Sequence, residues 1–243
     1  MKVSVICVYN REDQLQSQLA ASLKEQDLPH ELIALDSREH GFTSAARGLN
    51  EGARRASGDI LVFAHQDIVF KTAGGLRELA EEISRHETGE IFGVVGVRER
   101  DKTYYSNLTS GSAKLEEVHR LAPGCWPADC VDECLFGMRK DTWESHPFDE
   151  ALCDNWHLYA VEQCLHARKQ GHGVWVVPVQ AHHFSWGRIT GAYMDGLKRL
   201  CAAYRKDFRY IWTTCYKVRT NPVWIGALTA AWKLNRRIRG NRE

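Results

Sequence analysis

The sequence predicts an α/β fold in which a mostly parallel sheet is flanked by helices. In the first hundred residues, short apolar segments rich in β-branched residues alternate with longer segments whose apolar residues recur at helical spacing. The short segments are continuously apolar, which is typical of strands buried on both faces of a parallel sheet. The chain has 243 residues, enough for one large domain with a sizeable core.

The first half divides into four predicted strands and three predicted helices. The helix at 11–26 places Leu15, Leu19 and Leu23 on one face, and Thr43 or Ser44 stands near the start of the second helix. The predicted strands cover 2–9, 31–36, 59–64 and 91–98, and the predicted helices cover 11–26, 43–56 and 73–86.

The second half is less regular. Residues 99–130 carry prolines and a glycine with few periodic signals, which favours a long loop region. We then expect a strand over 131–140, a helix over 154–170 with Asp154 near its N-cap, and a strand over 172–187. Two further helices are expected at about 190–207 and 222–239. The predicted domain spans 1–210 in two halves, 1–100 and 101–210, followed by a helical, basic extension over 211–243.

Composition narrows the class of protein. The formal net charge is +1 and 44% of the residues are hydrophobic, which gives no overall attraction to nucleic acid or membrane. The chain has eight cysteines without a C-x-x-C pair, no stretch of 18 apolar residues and no leader peptide pattern, so we expect a cytoplasmic protein with reduced thiols. A metal site formed by Cys125, Cys130 and Cys134 is a minor alternative, because their spacing matches no common site.

Three polar segments each follow a predicted strand: Tyr9–Asn10, Asp36 and His65–Asp67. The carboxyl ends of parallel strands meet at one edge of a sheet, where ligands of open α/β sheets bind, so we expect these side chains to lie together. The sequence lacks a G-x-G-x-x-G after the first strand, a G-x-x-x-x-G-K-[ST] and a G-x-S-x-G, which removes the main support for a dinucleotide site, a P-loop or a hydrolase nucleophile. Asp67 offers a hard oxygen ligand for Mg²⁺ or Mn²⁺, and such a cation would neutralise a diphosphate leaving group.

These segments resemble the inverting glycosyltransferases of family 2, which have the GT-A fold with its Rossmann-like sheet. The order and spacing of the resembling motifs hold over about 67 residues, and a weaker likeness runs through "PFDEALCDNWHLYAVEQCLHARKQG" to "HHFSWG". The motifs are "VYN" at 8–10, "SLKEQ" at 22–26, Asp36, "NEG" at 50–52, "ASGD" at 56–59 and "HQD" at 65–67. The polar triplet "HQD" occupies the place of the family's metal-binding D-x-D.

The resemblance implies roles for the donor side of the site. Residues 1–100 become the half that binds the nucleotide sugar, with Asp67 as the ligand of a divalent cation, Mn²⁺ or Mg²⁺. His65 replaces the first acid of the D-x-D and is expected near the ribose and diphosphate. The other residues implied at the nucleotide sugar are Val8, Tyr9, Asn10, Asp36, Arg47, Asn50 and Gln66.

The resemblance also implies a late metal or diphosphate ligand in "HHFSWG". His183 fits best and His182 is the alternative. Neighbouring side chains of a strand point to opposite faces, so at most one of the two should face the cation.

The resemblance does not assign the base that deprotonates the acceptor to a single residue. In the family it is the Asp of a Glu-Asp pair at the start of a helix beneath the acceptor cleft, and Tyr159–Ala160 stand at that place here. Asp154 is the favoured substitute and Glu162 the second. Asp132 is expected to bind acceptor or sugar hydroxyls, and Trp156 and His157 are expected to line the acceptor site.

The predicted function is inverting transfer of a sugar from a nucleotide-diphosphate sugar, with a UDP-sugar as the first expectation, to a glycan or lipid-linked acceptor. Polysaccharide, cell-surface glycan or glycolipid synthesis is the expected setting, and the helix at 222–239 would permit peripheral contact with the inner face of a membrane. The alternatives are a catalytically inactive module that binds nucleotide or glycan, and a nucleotidyltransferase, which would need a glycine-rich loop that "VYNRED" lacks.

Overall fold

The computed structural model describes residues 1–100, 103–111, 124–185 and 189–240. The first half alternates strands and helices, as follows: β1 (Val3–Tyr9), α1 (Glu12–Ser17), α2 (Leu19–Lys24), β2 (His30–Asp36), α3 (Ala45–Arg55), β3 (Ile60–Ala64), β4 (Ile68–Phe70), α4 (Gly75–Arg85), β5 (Ile91–Gly93) and β6 (Val95–Arg98). The second half contains β7 (Thr103–Ser106), β8 (Leu108–Ser110), β9 (Trp126–Pro127), β10 (Cys130–Val131), β11 (Leu135–Arg139), α5 (Lys140–Ser145), α6 (Tyr159–Lys169), β12 (Val174–Val176), β13 (Ala181–His183), α7 (Gly191–Tyr204), β14 (Tyr210–Trp212), β15 (Lys217–Arg219) and α8 (Pro222–Gly240).

A seven-stranded sheet in the order β2-β1-β3-β11-β5-β12-β9 forms the centre of the fold. The strand pairs β1–β2, β1–β3 and β5–β12 are parallel, whereas β11 is antiparallel to both of its neighbours and β9 to β12. The predicted α/β class with a mostly parallel sheet is confirmed. Three small sheets, β10-β6-β7, β4-β13-β8 and β14-β15, surround it.

Apolar side chains cover both faces of the central sheet, which explains why its strands are continuously apolar. Along β1, Val5 and Cys7 point into one core and Ile6 into the other. Leucines of α2 and α4 fill the first core, and α3 and α6 supply small and aromatic side chains to the second. A third cluster joins α7, the β14–β15 hairpin and the start of α8.

Three predicted elements are each broken in two. The helix at 11–26 is interrupted at Gln18, whose φ of −119° and ψ of −83° are not helical, so α1 and α2 are separate. The strand at 91–98 changes sheets at Val94, and the strand at 172–187 is divided near Pro178 into β12 and β13. Apolar periodicity cannot reveal such breaks, because both pieces remain buried.

Several predictions for the second half are wrong, and two elements were not predicted. Residues 99–130 are not one loop in their described part, since β7, β8 and β9 lie there; strands of two to four residues are too short to show a period. The segment 112–123 lies outside the described residues. The helix expected from 154 begins at Tyr159 after Leu158, which has a positive φ of 71°, so Asp154 is not its cap. The helix α5 and the β14–β15 hairpin were not predicted.

The chain ends in α8, which packs on α7 through the buried Ile225. The boundaries at 100 and 210 remain predictions. Among the described helices, none combines the length and hydropathy that crossing a bilayer requires.

Candidate functional site

The three polar strand ends lie together at one edge of the central sheet, as predicted. Tyr9 is paired with Asp36 across β1 and β2. The side chain of Gln66 accepts hydrogen bonds from the backbone N–H groups of Asn10 (3.0 Å) and Arg11 (3.1 Å) and donates to Asn10 Oδ1 (3.1 Å). Gln66 therefore fixes the loop that follows β1 against the loop that follows β3.

A cavity of about 420 Å³, here called the strand-end cavity, opens at this edge. Its walls come from the ends of β1 and β3, the start of α3 and parts of the second half. The lining residues are Val8, Tyr9, Asn10, Gln14, Ser37, Ala45, Leu49, Ala64, His65, Gln66, Asp67, Trp156, Tyr159 and Ser185.

Asp36 provides a fixed negative charge beside this cavity. Its carboxylate accepts hydrogen bonds from Arg38 at the backbone N–H (2.8 Å), Nε (3.1 Å) and Nη2 (2.6 Å). These bonds lower the pKa of Asp36 to about 2, although burial opposes the shift.

His65, Asp67 and His183 form a cluster, here called the His-Asp-His cluster. One ligand atom of each residue lies within 4.8 Å of the other two. Nε2 of His183 is 3.3 Å from Nδ1 of His65, 3.3 Å from Oδ1 of Asp67 and 3.1 Å from the Ser185 hydroxyl. One carboxylate and two imidazoles are a donor set that suits Mn²⁺ and related divalent cations.

Strand pairing decides which histidine joins the cluster. The strand β13 lies antiparallel to β4, so His183 faces the end of β3. His182 points the other way, where its Nδ1 lies 2.9 Å from the Thr109 hydroxyl and its ring packs on Phe184. The structure brings His183 to Asp67 and adds His65 as a third candidate ligand.

Burial and the neighbouring charges set the protonation of the cluster. Burial and then His183 lower the pKa of His65 to about 4, so its imidazole is neutral at pH 7. Burial alone would raise the pKa of Asp67, but the hydrogen bond and charge of His183 outweigh it and lower the pKa to about 2. The cluster thus presents an anionic oxygen and a neutral imidazole, the forms that bind metals.

A second cavity of about 480 Å³, here called the lateral cavity, lies on the other side of the cluster. It shares His65, Trp156 and Ser185 with the strand-end cavity, so the cluster stands between the two. The lining residues are His65, Val95, Tyr104, Ser106, Leu108, Ser110, Val131, Asp132, Glu133, Trp156, His157, Leu158, Val161, His183, Ser185, Ile189, Tyr193, Thr213, Thr214 and Cys215.

Two adjacent carboxylates, Asp132 and Glu133, line the lateral cavity. The backbone N–H of His65 donates to the Cys134 carbonyl (2.9 Å), which holds this segment next to the cluster. Asp132 accepts from the Thr214 hydroxyl (2.6 Å) and the Cys134 N–H (3.1 Å); although burial opposes them, these bonds lower its pKa. Sequence reasoning had placed Asp132 at the acceptor and missed Glu133, its neighbour in "VDE".

Trp156 and His157, which are predicted to line the acceptor site, both lie on the wall of the lateral cavity. Trp156 is 43% exposed and reaches both cavities. His157 Nε2 is 3.3 Å from the Thr190 hydroxyl, and burial lowers the pKa of the imidazole.

Both predicted bases lie away from the cavities. Glu162 is 1% exposed and accepts from the Tyr204 hydroxyl (2.6 Å), with His146 Nε2 at 3.1 Å. It is a core residue of α6, turned from the cavity. Asp154 lies in the loop before α6, has a 54% exposed side chain and is paired with Arg199. Neither lines the strand-end cavity or the lateral cavity.

Asn50 and Arg47 also lie outside both cavities. Asn50 is buried, accepts from Trp143 Nε1 (3.1 Å) and donates to the Phe148 carbonyl (2.9 Å), so it joins α3 to the segment after α5. Arg47 is exposed on α3. The resemblance carried both residues to the nucleotide sugar, but the structure gives Asn50 a structural role.

The three cysteines considered as a metal site are not brought together. Cys130 lies beside Cys164, whereas Cys125 lies with Glu82 and His86 in a different part of the molecule. Burial and Glu82 raise the pKa of the Cys125 thiol to about 12.

Comparison with protein families gives one match, to the model described as "Glycosyltransferase like family", over residues 4–206. No curated protein matched the chain.

Solved structures of glycosyltransferases share the fold. A mannosyltransferase, PcManGT from Pyrobaculum calidifontis, solved with GDP-Man and Mn²⁺, has 17% identity and a TM-score of 0.57, covering 85% of this chain and 64% of its own. S. aureus TarS 1-349 with UDP-GlcNAc has 12% identity and a TM-score of 0.57, with coverages of 83% and 66%. GalNAc-T7 with UDP, GalNAc and Mn²⁺ has 12% identity and a TM-score of 0.58, with coverages of 82% and 48%. The chain therefore spans roughly half to two thirds of these longer proteins.

Proposed function

Because the chain belongs to the glycosyltransferase-like family whose model it matches, we propose that it transfers a sugar from a nucleotide-diphosphate sugar to an acceptor hydroxyl with inversion at the anomeric carbon. The observation that carries this proposal is the position of the His-Asp-His cluster between two cavities. A donor in the strand-end cavity and an acceptor in the lateral cavity would meet at the cluster.

The donor side binds the nucleotide. The aromatic ring of Tyr9 and the loop held by Gln66 form a wall for the base, and Asp36 is placed to bind base or ribose hydroxyls. Asp67 and His183, with His65, would hold a divalent cation, Mn²⁺ or Mg²⁺, which when bound supplies charge to neutralise the diphosphate leaving group. The other ring nitrogen of His65, Nε2, lies 3.0 Å from the Tyr159 hydroxyl, a contact that orients the imidazole.

The lateral cavity takes the acceptor. Its wall combines aromatic faces, Trp156 and Tyr193, with hydroxyl and carboxylate side chains, which is a surface suited to a sugar ring. Displacement from the face opposite the leaving group gives inversion, and an acceptor entering from the cavity across the cluster would approach from that side.

We also propose a donor and a cellular setting. The similar structures hold UDP-GlcNAc, UDP or GDP-Man, and we propose a UDP-sugar first. The acceptor would be a glycan or lipid-linked glycan of polysaccharide, cell-surface or glycolipid synthesis at the cytoplasmic face of a membrane. Exposed Val223, Trp224 and Leu234 on α8, next to basic residues, support a peripheral contact there.

A nucleotide- or glycan-binding module without catalysis is the second candidate. One observation favours it, since neither Asp154 nor Glu162 reaches a cavity. The two candidates share the donor site and differ in whether bound donor is consumed.

Calorimetric titration of a panel of nucleoside diphosphates, with and without Mn²⁺, tests the donor site. We expect one nucleotide to bind tightly only with Mn²⁺, and Asp67→Ala to abolish that dependence because it removes the anionic oxygen of the cluster. Asp27→Ala, which removes a surface carboxylate paired with Arg77, is the matched control and should bind as the native chain does. Absence of binding to every nucleotide, with or without Mn²⁺, would contradict both candidate functions at this site.

A further inference from the structure

We propose that Glu133 is the general base that deprotonates the acceptor hydroxyl. This inference rests on the proposed function and assigns the one role in it that the sequence left open. It depends on which carboxylates reach the lateral cavity and on how each is already engaged.

Among the described residues that line the lateral cavity, Asp132 and Glu133 are the carboxylates. Asp132 is engaged by the Thr214 hydroxyl and the Cys134 N–H, which stabilise its charge and make it a weak base. By contrast, Oε1 of Glu133 is buried and has no hydrogen-bond partner within the described structure. An unpaired buried oxygen costs free energy, so its presence beside a cavity indicates a partner that arrives with a ligand.

Glu133 places a carboxylate at the start of α6, where the first two residues of the helix have none. Glycosyltransferases resembling this chain carry their base at the start of the helix that corresponds to α6, where this chain has Tyr159 and Ala160. The carboxylate of Glu133 lies against this helix start, close enough for the backbone N–H groups of residues 158–160 to stabilise its ionised form. A carboxylate from the β10–β11 connection thus occupies the place that a helix residue would fill.

The two neighbouring carboxylates have different basicities. Burial and the charge of Asp132 raise the pKa of Glu133 well above its ordinary value, whereas the pKa of Asp132 is lowered. A raised pKa makes Glu133 the stronger base of the two, and the backbone N–H groups of residues 158–160 favour the ionised form in which it can accept a proton. Asp132 then orients the acceptor through a hydrogen bond, and Glu133 takes the proton.

The step balances without any further reagent. The acceptor oxygen forms a bond to the anomeric carbon while the bond from that carbon to the diphosphate oxygen breaks, and the diphosphate leaves with the electron pair. The acceptor proton passes to the Glu133 carboxylate, which returns it to water after the product leaves.

Hydrolysis of the donor tests the assignment without knowledge of the acceptor. The probe is the nucleotide sugar whose nucleotide binds most tightly in the panel, with water as the acceptor. We expect Glu133→Gln to lower hydrolysis by roughly 10²–10⁴-fold, the usual contribution of a general base, with nucleotide affinity in Mn²⁺ little changed. Glu133→Asp keeps a carboxylate on a side chain that is one methylene shorter, so its rate of hydrolysis should lie between those of the native chain and of Glu133→Gln.

Azide distinguishes a base from a structural residue. It is an anionic nucleophile that needs no deprotonation, so it should restore donor consumption by Glu133→Gln and yield a glycosyl azide, but it should not restore Asp67→Ala. Unchanged hydrolysis by Glu133→Gln, or a lost rate that azide does not restore, would overturn the assignment. Failure of the proposed function gives a different result from failure of the base assignment, since the native chain itself would then not consume the donor.

Discussion

The strand-end cavity and the lateral cavity lie on opposite sides of the same cluster, yet they are built differently. The strand-end cavity takes most of its wall from Val8–Gln14 and Ala64–Asp67, segments at the carboxyl ends of two parallel strands. Apart from His65, the lateral cavity collects its wall from residues between Val95 and Cys215, on short strands, loops, the helices α6 and α7 and the segment that joins β14 to β15. The first wall is fixed by strand register and the second by packing between distant segments.

This difference has a consequence for function. A nucleotide diphosphate is a common donor group, and a site at strand ends of a regular sheet can bind it with few specialised side chains. An acceptor is specific to each transferase, and the lateral cavity, which we propose as the acceptor site, is built largely from loops and short strands, the parts of a fold that vary most. Substitutions on the two sides should therefore separate donor binding from transfer.

After Glu133→Gln, the largest effect that separates donor binding from transfer is expected for Asp132→Asn. Loss of a charged acceptor for hydroxyl hydrogen bonds should lower the rate of transfer by roughly 10- to 100-fold, equivalent to about 1.5–3 kcal/mol. Nucleotide affinity should change much less, because Asp132 lines only the lateral cavity. Donor titrations beside steady-state kinetics measure both quantities, and an equal loss in each would show that the two sides do not act separately.

Glu162→Gln should affect stability and leave the site intact. The substitution weakens the hydrogen bonds from Tyr204 and His146 to a buried carboxylate, which we expect to cost about 1–3 kcal/mol of the free energy of unfolding. Urea denaturation followed by circular dichroism measures this loss as a lower midpoint with an unchanged slope. Donor hydrolysis at 25 °C by the folded variant should match the native rate; a loss of hydrolysis at full stability would restore Glu162 as a catalytic candidate.

Gln66→Ala should weaken the donor side alone. Without the bonds from Asn10 and Arg11, the loop after β1 loses its connection to the end of β3, and we expect nucleotide affinity to fall about tenfold, near 1.4 kcal/mol. Gln16→Ala is the matched control, since Gln16 donates to Glu12 on the exposed face of α1 (2.7 Å) and lines neither of the two cavities. A similar loss of nucleotide affinity in both variants would show that the effect of Gln66→Ala does not come from its bonds to the loop after β1.

The smallest effect is expected for Asp154→Asn. The ion pair of Asp154 with Arg199 is partly exposed, and exposed pairs contribute about 0–1 kcal/mol to stability. We expect donor hydrolysis to stay within twofold of the native rate, measured side by side with Glu133→Gln. A loss as large as that of Glu133→Gln would return the base assignment to Asp154.

The sequence by itself determined the regular half of the protein. Apolar segments of β1, β2 and β3 and the helical spacing in α3 and α4 are local patterns, and strand ends share an edge in any parallel sheet, so Tyr9, Asp36 and Asp67 could be placed together without coordinates. The resemblance to glycosyltransferases added His183, and strand pairing confirmed that only one of the two histidines faces Asp67.

Only the tertiary structure decided the remainder, because it depends on contacts between segments far apart in the chain. The late start of α6 places Asp154 in an exposed loop, and the packing of α6 on Tyr204 and His146 removes Glu162 from the cavity. The bond from His65 to the Cys134 carbonyl, in contrast, holds the segment 132–134 next to the cluster, and Glu133 lines the lateral cavity. Neither residue spacing nor hydropathy records which carboxylate oxygen remains unpaired within the described structure, as Oε1 of Glu133 does, since that follows from the positions of the neighbouring donors in the folded chain.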